Sequence, residues 1–286
     1  MRWTPGEESS NIEDRRGQGG GFLPGGRAGM GIGGAVVLLV LSLIFGRDFV
    51  TGGTTAADST GAATANGEVS SSPAEDRLVQ FVSFVLDDVQ NTWRSILAER
   101  RVPYEDAKLV LFRDMTQSGC GTAESTMGPF YCPLDQKVYI DLGFYDELKR
   151  RFGAPGDFAQ AYVLAHELGH HVQHLLGIDA QARRLQRENP GNANAVSVRL
   201  ELQADCFAGI WGHTTEQRRL LEQGDIEEGL NAAAAVGDDR IQRSTTGRVN
   251  AETFTHGTAA QRSAWFKRGL TTGQIEACDT FGDRGP

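Results

Sequence analysis

The residues whose types and spacing could do chemistry are His166-Glu167-Leu168-Gly169-His170, an HExxH arrangement. Side chains four apart on a helix project from one face, so two imidazoles can reach one ion at about 2.0–2.1 Å each. Glu167 stands beside the first imidazole, where a carboxylate can take a proton from water on the open side of a metal. Tyr162, Val163, Leu164, Leu168 and Val172 make the surroundings apolar, as a buried helix requires, and Gly169 would let another backbone approach closely. HExxH also arises in helices whose histidines merely pack or cap. A catalytic metal site needs a third protein ligand.

His174 continues the same stripe, but it is separated from His166 by about 12 Å along the helix axis, so the two cannot converge on one ion. His171 faces sideways and reads as a hydrogen-bonding or packing histidine. The HExxHxxGxxH pattern fails, because Val172 and Leu176 occupy the positions of its Gly and last His. Downstream, Val196 to Trp211 has helical periodicity and carries Glu201 and Asp205, one turn apart on one face. Glu201 is the expected third ligand. Asp205 is expected to accept the other ring N–H of a ligating histidine, assigned here to His166. The expected zinc set is therefore His166, His170 and Glu201, with Glu167 as general base. His256, just before a helix capped at Thr258, is the first candidate donor to a developing oxyanion; a plain helix-terminal histidine is the alternative. Tyr131 and Tyr139 are weaker candidates, and each reads first as a packing residue. Asp238-Asp239-Arg240 permits two readings, a buried ion network near the metal helices or a helix cap.

These residues need elements to hold them. Leu78, Val82, Val85, Leu86, Val89, Trp93, Ile96 and Leu97 recur at helical spacing before Pro103. Lys108 to Phe112 and Lys137 to Leu142 read as strands, with a Gly- and Pro-bearing loop between them. The second strand could accept an extended peptide at its edge. The HExxH helix is expected from Phe158 to Leu176, capped by Asp157 and stopped by Gly177. After Gly156 the chain reads as mostly helical, which makes the fold class α+β with a small sheet. Trp265 and Phe266 read as core anchors.

The chain has 286 residues, 40% apolar, with a formal net charge of −9. It has no long basic run, which argues against nucleic acid as a partner. Cys120, Cys132, Cys206 and Cys278 form no C-x-x-C pair, against a thiolate zinc site. Two disulfides or free buried thiols are both compatible; of three connectivities, Cys120 with Cys132 is favoured, leaving Cys206 with Cys278. Residues 1–28 read as a disordered cytoplasmic tail. Residues 29–46 are uncharged and strongly apolar, a candidate transmembrane anchor. Residues 47–73 read as a flexible linker, and 74–286 as the globular domain. Arg15, Arg16 and Arg27 before the apolar run place the tail inside and the domain outside the cell membrane, as a single-pass protein. A cleaved signal peptide is the rival reading, set against by the long preceding region.

The chain as a whole resembles the bacterial neutral zinc metallopeptidases of the YpfJ type. The resemblance runs through MRW, NIEDRRG, KLVLF, SGCG, GPFYCPLDQKVYIDL, FYDELKRRFGAPGDFAQAYV, AHELGHHVQ, ELQADCFAG, AAAAVGDDRIQ and HGTAAQRSAWFKRGL. It implies a zincin-like domain of the gluzincin kind, a Zn²⁺ cofactor with glutamate as third ligand, hydrolysis of a peptide or protein substrate, and a membrane anchor. A metal-bearing scaffold or binding protein without turnover is the competing expectation.

Overall fold

The computed structural model describes residues 1–17 and 71–282. The expected anchor at 29–46 and almost all of the expected linker lie outside the described residues. Helix α1 (Pro73–Glu99) starts where Ser72 accepts the Glu75 N–H and proline occupies the first turn. Its buried stripe of Val82, Val85, Leu86, Val89, Trp93 and Leu97 follows the 3.6-residue period.

Four strands form the main sheet in the order β1 (Ile12–Asp14), β2 (Lys108–Phe112), β6 (Lys137–Asp141), β5 (Phe130–Cys132). The β1–β2 and β2–β6 pairs are parallel and β5–β6 is antiparallel. Leu109, Leu111, Val138 and Ile140 join the main core with the helices. Val110, Phe112 and Tyr139 face the opposite way, under the hairpin of β3 (Met115–Ser118) and β4 (Gly121–Glu124). With both faces covered, β2 and β6 are continuous apolar runs and not alternating ones. The strand Lys137–Asp141, expected to offer an edge to a peptide, is interior to the sheet; β5 is the edge on that side.

Helices α2 (Gly143–Arg150), α3 (Asp157–Leu175), α4 (Ile178–Glu188), α5 (Ala193–Gln217), α6 (Asp225–Ala235), α7 (Asp238–Thr246) and α8 (Ala259–Thr272) complete the fold. Asp157 opens α3 without capping it, since Gly156 holds the cap position without a side-chain bond. Thr258 and Gln261 form a capping box at the start of α8. Disulfides join Cys120 to Cys132 and Cys206 to Cys278.

The expected cytoplasmic tail and membrane topology require correction. Residues expected to be disordered instead form β1, which pairs with β2 from Ile12↔Leu109 to Asp14↔Leu111. The Met1 ammonium lies 2.5 Å from Asp157 and 3.3 Å from Asp225. Buried Arg16 pairs with Asp14 at 2.6 Å and Glu75 at 2.9 Å. Strands that share hydrogen bonds cannot lie on opposite sides of a bilayer, so a tail inside and a domain outside is excluded. No helix among the described residues is long and apolar enough to cross a membrane.

Candidate metal centre

Helices α3 and α5 meet at Gly169. A Cβ there would lie 3.0 Å from the carbonyl oxygen of Ala204, so any larger residue would press the two backbones apart by a few tenths of an ångström. The crossing brings the HExxH face of α3 against the ExxxD face of α5. His166 Nε2 lies 3.2 Å from Glu201 Oε2, and His170 Nε2 lies 3.4 Å from Glu201 Oε1. One ligand atom from each of the three residues falls within 4.8 Å of the others. Bonds of 2.0–2.1 Å arranged tetrahedrally leave ligand atoms about 3.3–3.4 Å apart. The three side chains thus fit one zinc-sized ion, in a donor set of two imidazoles and a carboxylate.

Both imidazoles are held from behind. His166 Nδ1 is 2.9 Å from Asp205 Oδ1, the pairing expected from the sequence. His170 Nδ1 is 2.9 Å from Gln173 Oε1. In each case the rear contact turns Nε2 toward Glu201. Asp205 is fully buried and carries further partners. The Tyr162 hydroxyl donates to its Oδ1. Arg262 grips both oxygens, Nε to Oδ2 at 2.8 Å and Nη2 to Oδ1 at 2.9 Å. Arg262 Nη2 is 3.3 Å from both ring nitrogens of His166, so it lies across the ring and not in line with either lone pair.

Electrostatics follow from this enclosure. Burial pushes the Glu167 carboxyl up, against the pull of His166 and His170. Burial alone would lower His166, but the charge and hydrogen bond of Asp205 raise it to about 9. Glu201 is held well below the usual carboxylate range by His170, His256 and the bond to His166, despite its burial. The site thus favours positive charge beside Glu201, the place a divalent cation would take.

His256 sits at the rim. Its Nδ1 is 3.2 Å from Asp238 Oδ1, and its charge acts on Glu201. Asp238 Oδ2 also accepts the backbone N–H groups of Thr255, His256 and Gly257 at 2.7, 2.7 and 3.0 Å. Asp238 therefore builds the loop that presents His256, Asp239 accepts the Ala259 N–H at the start of α8, and Arg240 is exposed. The remaining candidates lie elsewhere. His171 bonds to the Glu105 carbonyl and the Tyr131 hydroxyl, His174 to Asp179, and Tyr139 to Asp135. A second carboxylate group, Asp157, Asp225 and Glu228, is the one in which Asp157 and Asp225 hold the Met1 ammonium.

A family model described as "Putative neutral zinc metallopeptidase" matches residues 1–281. The chain belongs to that family. It is 48% identical over 292 residues to Uncharacterized protein YpfJ of Escherichia coli (strain K12), covering 99% of each chain. It is also 45% identical over 206 residues, 68% of each chain, to Uncharacterized protein Rv2575 of Mycobacterium tuberculosis (strain ATCC 25618 / H37Rv). No solved structure matches it significantly. The family match spans β1 as well as the metal helices.

Helical spacing does not reveal the parts taken by Arg262, Tyr162, Gln173 and Asp238. Arg262 had a legible signal. Arg262, Trp265, Phe266, Gly269 and Leu270 are the buried positions of α8, so an arginine holds a place on the core stripe. A charge there calls for a buried partner.

Proposed function

We propose that this chain is a zinc-dependent peptidase in which His166, His170 and Glu201 hold the ion and Glu167 is the general base. The observation that carries the reading is the convergence of three ligand atoms from two helices beside a buried glutamate. When bound, zinc supplies Lewis acidity, lowering the pKa of a water toward about 7 and polarising a carbonyl. Glu167, raised by burial, accepts the proton of the attacking water. As the C–O bond forms and the C–N bond breaks, Glu167 returns that proton to the leaving amine nitrogen. His256, whose pKa Glu201 and Asp238 raise although burial opposes it, donates to the carbonyl oxygen as negative charge grows there. Asp205 and Gln173 keep the ligand rings in register. The substrate class is peptide or protein.

The test is Glu167→Gln in the full chain. Zinc content should stay at the wild-type level while cleavage of a peptide library falls about 10²–10⁴-fold. Undiminished cleavage by this variant removes the base assignment. A wild-type chain that holds zinc yet cleaves nothing in the library would favour a scaffold that binds metal without turnover.

A further inference from the structure

Two buried glutamines lie behind His170, and neither is needed by the HExxH and ExxxD logic. Gln173 is 1% exposed and Gln203 is 5% exposed. Gln173 Nε2 donates to the Leu200 carbonyl at 2.7 Å and to Gln203 Oε1 at 3.1 Å. Gln203 Nε2 donates to the Cys278 carbonyl at 3.0 Å. Carbonyl oxygens only accept, so each glutamine must present its NH₂ group to its carbonyl. That fixes both amides. Gln203 Oε1 is left facing Gln173, and Gln173 Oε1 is left facing His170 Nδ1. An acceptor at Nδ1 requires the proton to be there, which leaves the Nε2 lone pair directed at Glu201. The relay thus selects the tautomer that a metal ligand needs.

The far end of the relay is tied down covalently. Cys278 is bonded to Cys206, the neighbour of Asp205 on α5. The same short C-terminal turn is tied again where the Thr280 hydroxyl donates to the Arg199 carbonyl at 2.8 Å. One disulfide therefore adjoins both rear supports of the centre, Asp205 behind His166 and the glutamine relay behind His170.

We propose that Gln173 and Gln203 are positioning residues for zinc, acting through His170, and that the Cys206–Cys278 disulfide secures the carbonyl on which their orientation depends. This rests on the zinc reading given above. The experiment measures zinc affinity by chelator competition in the full chain, with the denaturant midpoint of the metal-free protein followed alongside. Gln173→Met should weaken zinc binding about 10–100-fold. Gln203→Met should weaken it about 3–10-fold, and so should reduction of the disulfide. A role in stability alone would move the midpoint and leave the affinity in place. If Gln203→Met does not fold, Gln203→Glu takes its place, because it keeps the acceptor toward Gln173 and loses the donor to Cys278. Zinc affinities within twofold of wild type for both glutamine variants overturn the relay. An unchanged affinity after reduction overturns the part assigned to the disulfide. A wild-type chain that binds no zinc instead overturns the metal reading, and the relay's purpose with it.

Discussion

The charge on Asp205 is held in the core behind His166. It is fully buried, and Arg262, His166 and Tyr162 surround its two oxygens. Arg262→Met leaves that carboxylate without its bidentate partner, and breaking a buried pair from one side costs about 3–5 kcal/mol. A fall of this size in unfolding free energy from urea titration is expected, with Arg262→Lys losing less. An unchanged midpoint for Arg262→Met would show that the pair is not the anchor of this wall. His256 gives a prediction of a different kind. His256→Ala should lower kcat about 10²–10³-fold, as removal of an oxyanion donor does, while zinc content stays level. Steady-state kinetics on a cleaved peptide decide it, and an unaltered kcat would return His256 to a structural loop residue. At this scale the grouping of His166, His170 and Glu201 and the pairing of Asp205 with His166 could be read from residue type and helical spacing. Gln173 and Asp238 could not, and for Arg262 the buried stripe of α8 signals a buried partner without naming Asp205.

Elements reach the site through close helix crossings. Where α5 meets α8, a Cβ on Gly269 would fall 1.9 Å from the Cys206 carbonyl, and one on Gly209 would fall 2.1 Å from the Phe266 carbonyl. Both obstacles are backbone, so neither can yield without moving a helix. Gly269→Ala is expected to separate α5 from α8 and cost about 1–3 kcal/mol or more. It should also loosen Arg262 from Asp205, since both sit on these two helices. Thermal unfolding checks the first effect, and a melting temperature equal to wild type would contradict the crossing. The amphipathic helix α1 and strands β2 and β6 were legible from their periods. The stretch between those strands read as a loop, yet it folds into β3, β4 and β5. Those strands are three or four residues long, and β3 and β4 are mostly polar, so no period could emerge.

For the whole molecule, the decisive correction is the docking of the first seventeen residues. Strand β1 offers one apolar residue, Ile12, and its order comes from pairing with β2 and from ion pairs. Burial alone would raise Asp14, but bonds from Arg16 pull it below its ordinary value. Glu75 is lowered by Arg113 and Arg16 against its own desolvation, and Glu13 by Lys137 and Arg15 in the same manner. A carboxylate lowered on folding stabilises above its unfolded pKa, near 4, and loses that contribution as pH falls through the lower folded value. Amide exchange of β1 is therefore expected to accelerate below about pH 4 ahead of the helical core. Equal protection of β1 and α3 across that range would exclude these pairs as the cause. A chain beginning at Ala74 should melt at least about 5 °C lower, because β2 becomes an edge and Asp157 and Asp225 lose the Met1 ammonium.

The order of residues alone placed a histidine pair on one helix and Glu201 with Asp205 on another, since i, i+4 spacing and an apolar surround are local properties of the chain. It settled the mostly helical α+β character for the same reason. Tertiary structure decided what local periodicity cannot encode: that a polar N-terminal segment completes the sheet, that β6 is interior, and that an arginine from α8 and a pair of buried glutamines stand behind His166 and His170. Apart from the His170–Gln173 contact within α3, these contacts join segments far apart in the chain, and their free energy exists only after the elements have met.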